Sequence, residues 1–156
     1  LEIERRFLAT GDVRQLCLIG ERIVQGYISA AGLLKIRVRV MGSKGYLTMK
    51  GTRVGCTRTE FECQVSSALA AWMLSRVTPE ACVEKIRYKV GHAGLFWDID
   101  IFEGRNSGLI IAEVELPEPN YPIVLPSWVD REITEDRRYG NSILARHPVH
   151  KVARSA

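Results

Sequence analysis

The sequence predicts a mainly β protein of the α+β class, built as an eight-stranded antiparallel barrel that closes on itself around a polar interior. Segments in which charged and apolar residues alternate recur along most of the chain, as expected for strands with one polar and one apolar face. About eight such segments are joined by short connections, which is typical of an antiparallel barrel. Helical spacing is confined to two stretches, which we expect to flank the barrel.

The N-terminal half contains five predicted strands. Residues 1–8 form the first, and a short helical turn follows in which Asp12 is the candidate N-cap. The segment 34–42 shows the alternation most clearly, because isoleucine and valine occupy one face and lysine and arginine the other. The remaining strands of this half are predicted at 20–31, 46–51 and 57–65.

The period changes after residue 65. Apolar residues from Ser66 to Arg76 recur at helical spacing, with Ser66 as the N-cap. A Pro-rich connector at 117–126 precedes a second predicted helical stretch, which opens at Ser127. Residues 1–146 are expected to form one domain, and residues 147–156 a basic, flexible tail. Strands are predicted between the two helical stretches at 83–91, 95–103 and 109–116.

Composition narrows the range of functions. The 156 residues carry 22 basic and 18 acidic side chains, a net charge of +4, which favours a small anionic partner. Blocks of like charge are absent from the sequence, which argues against nucleic acid as the partner. Apolar runs stay far below the ~20 residues that a membrane span needs. The four cysteines lack C-x-x-C spacing, which favours free thiols in the cytoplasm.

Acid-x-acid pairs recur on separate strands, beginning with Glu2 and Glu4, which share a strand face with Arg6. Basic residues repeat at the same spacing on other strands. A charged face in contact with solvent is the alternative interpretation, but this sorting of acids and bases onto different strands favours a charged interior. The acids are Glu2, Glu4, Glu60, Glu62, Asp98, Asp100, Glu113 and Glu115, and the bases are Arg6, Arg37, Arg39, Lys50, Arg58, Lys85, Arg87 and Lys89.

An interior of this composition suits a polyphosphate. Arginine binds phosphoryl oxygens bidentately, and lysine binds them as a point charge. The carboxylates would repel the same ligand unless a divalent cation lay between them. Mg²⁺ accepts such an arrangement, since it takes one or two carboxylates together with water and phosphate oxygens.

The chain resembles the CYTH superfamily, the triphosphate tunnel metalloenzymes. The resemblance runs in order from about residue 1 to residue 146. Each motif is short, but the ordered set is specific. The matching motifs are Glu2-Ile3-Glu4-Arg5-Arg6, Gln25-Gly26-Tyr27, Ile36-Arg37-Val38-Arg39, Leu47-Thr48-Met49-Lys50-Gly51, Arg58-Thr59-Glu60-Phe61-Glu62, Lys85-Ile86-Arg87-Tyr88, Trp97-Asp98-Ile99-Asp100, Ala112-Glu113-Val114-Glu115 and Asp136-Arg137-Arg138-Tyr139-Gly140-Asn141.

The resemblance implies a tunnel that hydrolyses triphosphate-bearing substrates with Mg²⁺ or Mn²⁺, and a C-terminal plug helix around Tyr139 and Asn141. The family's lysine in the opening motif is Arg6 here, which keeps the charge but cannot accept a proton. Arg6 and Tyr27 are the catalytic candidates. The implied metal ligands are Glu2, Glu4, Glu62, Glu113 and Glu115, the substrate-binding residues Arg37, Arg39, Lys50, Arg58, Lys85, Arg87 and Arg138, and the supporting acids Glu60 and Asp100.

Three functions are compatible with these residues. The leading hypothesis is hydrolysis of inorganic triphosphate to diphosphate and phosphate. The second is action on an organic triphosphate: thiamine triphosphate, a nucleoside triphosphate, or ATP converted to cyclic AMP. The third is a triphosphate or polyphosphate sensor without catalysis. An apolar outer wall is also compatible with a homodimer.

Overall fold

The computed structural model describes residues 2–29, 35–54 and 56–149. Nine strands and two short α-helices lie in these ranges, and every strand pairing is antiparallel. The predicted mainly β, antiparallel architecture is confirmed, and the first eight strands match the predicted ones. The elements are β1 Glu2–Ala9, β2 Gly20–Ser29, β3 Lys35–Met41, β4 Lys44–Val54, β5 Thr57–Val65, α1 Ser67–Leu74, β6 Cys82–His92, β7 Leu95–Phe102, β8 Ile110–Glu115, β9 Val129–Glu132 and α2 Asn141–Arg146.

The strand order is β5-β4-β3-β2-β6-β7-β8-β1-β9. Strand β1 pairs with β8 along one edge and divides its other edge between two strands. Near its start, Glu2 and Ile3 pair with β5, the strand at the far end of this order. Near its end, from Phe7 onward, it pairs with β9. Both ends of this edge of β1 therefore have backbone hydrogen-bond partners.

The predicted helical stretch from Ser127 is wrong in its first part. The four residues of β9 are extended because they pair with the part of the β1 edge that does not pair with β5. The chain then makes a 3₁₀ turn at Arg137–Tyr139 before α2 begins. The predicted tail is described as far as Val149, whose N–H donates to Asn106 Oδ1 at 3.3 Å. Residues 150–156 lie outside the described residues.

The two predicted helix starts have different outcomes. The Oγ of Ser66 accepts a hydrogen bond from the Leu69 N–H at 3.1 Å, so this residue is the N-cap of α1 as predicted. Near the N-terminus, the 3₁₀ turn Gly11–Leu16 has Thr10 at its N-cap instead of Asp12. The carboxylate of Asp12 lies in the first turn and accepts from the Thr10 hydroxyl at 3.4 Å.

The alternating pattern separates two environments. One cluster of buried apolar residues packs on the strand faces that point away from the charges. There the Trp97 ring is tilted against Phe7 with centroids 5.5 Å apart and meets Trp128 edge to face at 5.4 Å. A second cluster contains Ile111 and Leu144 and joins β8 to α2. The 3₁₀ turn and the connector cover part of the apolar faces, and α1 covers another part by packing on β3 and β4.

Candidate active site

The charged strand faces surround a cavity of about 1150 Å³. This geometry supports the interpretation of a charged interior over a solvent-facing sheet. Acids and bases are evenly represented in the lining. The lining cations are Arg6, Arg37, Arg39, Lys50, Lys85, Arg87, Lys89 and Arg137, and the lining acids are Glu4, Glu60, Glu62, Asp98, Glu113, Glu115, Glu135 and Asp136.

A buried carboxylate organises the cations of β6. Asp100 is fully buried, and its two oxygens accept from Arg87 Nε at 2.7 Å and from Arg87 Nη2 at 2.6 Å. The same carboxylate forms an ion pair with the Lys85 ammonium group, which is 2% exposed. Burial lowers the pKa of Lys85 to about 8, although the attraction of Asp100 opposes this shift. Asp100 therefore lies behind the two cations that face the cavity.

Glu113 bridges two arginines across three strands. Its Oε1 accepts from Arg6 Nε at 3.0 Å, and its Oε2 accepts from Arg87 Nη2 at 2.7 Å. Burial alone would raise the pKa of Glu113, but the charges of Arg87, Arg6 and Lys85 outweigh it and hold this pKa well below its usual range. Glu113 is therefore a carboxylate that stays ionised at neutral pH.

A second cation cluster lies on β3. Both Arg37 Nη2 and Arg39 Nη2 donate to Glu62, at 3.0 Å and 3.1 Å, and the Thr48 hydroxyl donates to the same carboxylate at 2.6 Å. Burial and the neighbouring Arg37 lower the pKa of Arg39. The buried Nε atoms of these two arginines have no hydrogen-bond partner among the described residues. An unsatisfied buried donor of this kind carries a desolvation cost. Beside this cluster, Lys50 forms an ion pair with Glu60.

The carboxylates on β1 and β8 fit a hard divalent cation. Glu4 lies directly opposite Glu115 in the strand register, and both line the cavity. Like charges in this position repel each other, and a bound cation would offset that repulsion. Within the described part of the chain, no three His, Cys, Asp or Glu side chains converge tightly enough to form a metal cluster. Mg²⁺ needs one or two carboxylates, since water and phosphate complete its shell, so the donor set is compatible with it.

Tyr27 lies in the cavity wall on β2. The amide Nε2 of Gln25 donates to the Tyr27 hydroxyl oxygen at 2.6 Å. Burial raises the pKa of Tyr27 to about 12. The hydroxyl therefore keeps its proton at neutral pH and can donate it in a hydrogen bond to a bound anion.

Among the predicted site residues that the structure describes, Arg138 lies outside this arrangement. The Arg138 side chain is 73% exposed and pairs with Asp136 at 2.7 Å, and it does not line the cavity. The side chains of Glu2 and Arg58 lie outside the described residues. Sequence reasoning missed Arg137, which lines the cavity in place of its neighbour, because a 3₁₀ turn has no periodicity from which to choose between them. Lys89, which was predicted among the interior bases but not assigned to substrate binding, also lines the cavity.

The fold and the cavity define a class of protein: an antiparallel β protein whose strands surround paired cations and carboxylates suited to a polyanionic ligand. The chain belongs to the CYTH domain family, whose model matches residues 1–154.

Its relatives cover almost its whole length. A protein from Acetivibrio thermocellus named inorganic triphosphatase is 42% identical over 147 residues, 94% of each chain. A protein of the same name from Nitrosomonas europaea is 35% identical over 150 residues, which cover 92% of this chain and 96% of that one. The crystal structure of an inorganic triphosphatase superposes with a TM-score of 0.66 at 29% identity, covering 94% of this chain and 95% of that one.

Proposed function

We propose that this chain is a divalent-metal-dependent triphosphatase that hydrolyses inorganic triphosphate to diphosphate and phosphate. The observation that carries the proposal is the set of cations that line the cavity, with Arg37, Arg39 and Lys85 among them. Phosphate oxygens are strong acceptors for guanidinium groups. The names of the two relatives above support inorganic triphosphate as the substrate.

In this proposal the sheet closes into a tunnel. The pairing of β1 with β5 supports closure, because these strands lie far apart in the strand order and still share two residue pairs. The segment around α2 plugs one end, and Gly140, Asn141 and Ile143 contribute to the cavity lining there. Substrate would then enter at the opposite end, near Lys89 and Asp98.

The phosphates bind to the cations of β3, β4 and β6. Asp100 and Glu60 support these cations by pairing with them from the wall. Arg6 adds its charge, and Tyr27 donates a hydrogen bond from a hydroxyl that stays protonated. Arginine does not accept protons under physiological conditions, so Arg6 is not the base of the reaction. The residues proposed to hold phosphate are Arg37, Arg39, Lys50, Arg58, Lys85 and Arg87.

Mg²⁺ or Mn²⁺ would be held by Glu4, Glu113 and Glu115, and Glu2 and Glu62 are further candidates. When bound, such an ion neutralises phosphate charge and lowers the pKa of a coordinated water. Glu4, Glu113 and Glu115 would place that charge on the β1 and β8 side of the cavity, and the cations of β3 line the same cavity. A triphosphate between the two groups would be held from both sides.

The test is a release assay for phosphate and diphosphate with tripolyphosphate, ATP and thiamine triphosphate, each with Mg²⁺, Mn²⁺ or a chelator. We expect tripolyphosphate to give the highest kcat/KM, and the chelator to abolish turnover. A preference for ATP would contradict the inorganic substrate. Binding of tripolyphosphate without turnover in either metal would favour a sensor.

An organic triphosphate is the second candidate because of Phe96. This ring lines the cavity, is 69% exposed, and lies beside Gly91, where a side-chain Cβ would be 3.8 Å from the ring edge. An exposed ring beside a phosphate site can stack a planar group such as a base. If this candidate holds, Phe96→Ala will reduce kcat/KM for ATP and leave that for tripolyphosphate unchanged.

The proposed compartment is the cytoplasm, because all four cysteines are free thiols, which is common in reducing compartments. Among the described residues, no helix is both long and apolar enough to cross a membrane. A homodimer stays a prediction. Phe61, Leu69 and Trp72 are exposed on the outer wall, and light scattering after gel filtration would measure the oligomeric state.

A further inference from the structure

Arg6 connects the cavity wall to the C-terminal segment. Its Nε donates to Glu113 on β8 at 3.0 Å, and its Nη2 donates to the backbone carbonyl of Tyr139 at 2.8 Å. The residue is 7% exposed. A single guanidinium therefore holds a carboxylate of the wall and a carbonyl of the segment that forms the end of the cavity.

The backbone of Arg6 contacts the same segment. Its N–H donates to Thr134 Oγ1 at 3.0 Å, and its carbonyl accepts from the Ile133 N–H at 2.8 Å. The side-chain contact reaches further along the chain, to the 3₁₀ turn that directly precedes α2. Asn141, the first residue of α2, has its Oδ1 3.4 Å from Lys85 Nζ.

We propose that Arg6 is a positioning residue that latches residues 137–146 onto the tunnel wall and thereby keeps Asn141 beside Lys85. This role explains an arginine where the resemblance leads one to expect lysine. The planar guanidinium presents donors on separate nitrogens, so it can bond Glu113 and the Tyr139 carbonyl from two atoms at once. Arg6 also lines the cavity, so the latch adds to the phosphate role already proposed for it.

Hydrogen–deuterium exchange tests the latch without any substrate. The Leu144 N–H donates to the Gly140 carbonyl, and the His147 N–H to the Ile143 carbonyl. In Arg6→Met we expect these amides to exchange roughly tenfold faster or more, because a hydrogen bond from a charged group is lost. Amides of β7, such as that of Ile99, serve as the internal reference and are expected to change much less.

The matched control is Arg39→Met. Arg39 is another buried cavity arginine, but its side chain bonds Glu62 on β5 and not the C-terminal segment. We expect this variant to lose phosphate binding and to leave exchange at Leu144 and His147 unchanged. Equal exchange at these amides in Arg6→Met and the unmodified protein would overturn the latch, as would an equal rise at Ile99.

A second variant keeps the latch testable if Arg6→Met does not fold. Arg6→Lys keeps a positive charge beside Glu113 but offers one nitrogen in place of two. We expect exchange at the two α2 amides to rise at least about threefold in this variant, because one hydrogen bond is weakened. Unchanged exchange there would overturn the latch. Neither readout depends on turnover, so failure of the latch and failure of the proposed hydrolysis are separate results.

Discussion

Replacing Asp100 by asparagine should destabilise the protein strongly. This carboxylate is fully buried and neutralises Lys85 and Arg87, which are themselves largely enclosed. Removing one partner of a buried ion pair leaves an uncompensated charge and typically costs about 3–5 kcal/mol. Arg87 keeps Glu113 and Asp98 as partners. We therefore expect a destabilisation at the lower end of this range, about 3 kcal/mol. For a chain of this size that corresponds to a fall in Tm of about 6–12 °C.

Urea denaturation followed by circular dichroism measures this change, and an unchanged m-value would show that stability alone has moved. Glu84→Gln on the same strand is the matched control. Its partner is Arg22 at 2.5 Å, and both side chains are about half exposed, so we expect about 0.5 kcal/mol or less. Equal losses in the two variants would refute the reasoning, because burial would then have no influence on the energy of the pair.

Two further predictions concern binding and packing. The pKa of Lys85 is about 8, so its charge is present below that pH and is lost as pH rises through it. KM for tripolyphosphate should therefore increase by roughly tenfold between pH 7 and pH 9.5. Lys85→Arg should flatten this rise, and identical pH profiles would count against the assignment. Gly45→Ala should cost about 1–3 kcal/mol, because its Cβ would lie 2.6 Å from the Ser66 carbonyl oxygen, whereas Gly11→Ala meets nothing within 4 Å and should cost less. Thermal unfolding of the two variants gives the comparison.

Much of the site could be predicted because strand periodicity assigns a face to each residue. Once Glu4 and Arg6 share a face, every second residue of β1 is assigned with them, and the same holds for Arg37 and Arg39 on β3. The acid-x-acid and base-x-base spacing therefore identified charged strand residues that line the cavity. The register that pairs Glu4 with Glu115 depends on contacts between distant strands, which spacing within one strand cannot reveal.

The C-terminal segment was harder to predict because its conformation does not follow from local periodicity. The conformation of β9 depends on the free edge of β1, more than 100 residues earlier in the chain. A 3₁₀ turn also lacks a repeating face, so the sequence pattern does not distinguish Arg137 from Arg138. Of the two, Arg137 lines the cavity. The hydrogen bond from Arg6 to the Tyr139 carbonyl joins residues 133 positions apart. Such a contact depends on the fold and cannot be predicted from local spacing.

The central claim is that the cavity cations bind the triphosphate. It is tested most directly by comparing kcat/KM for tripolyphosphate in Arg39→Met and Arg22→Met, which lower the net charge equally. Arg39 lines the cavity, whereas Arg22 is exposed and pairs with Glu84. We predict a fall of roughly tenfold to a hundredfold for Arg39→Met and less than about twofold for Arg22→Met. Equal falls in both variants, or an unchanged value in Arg39→Met, would contradict the claim.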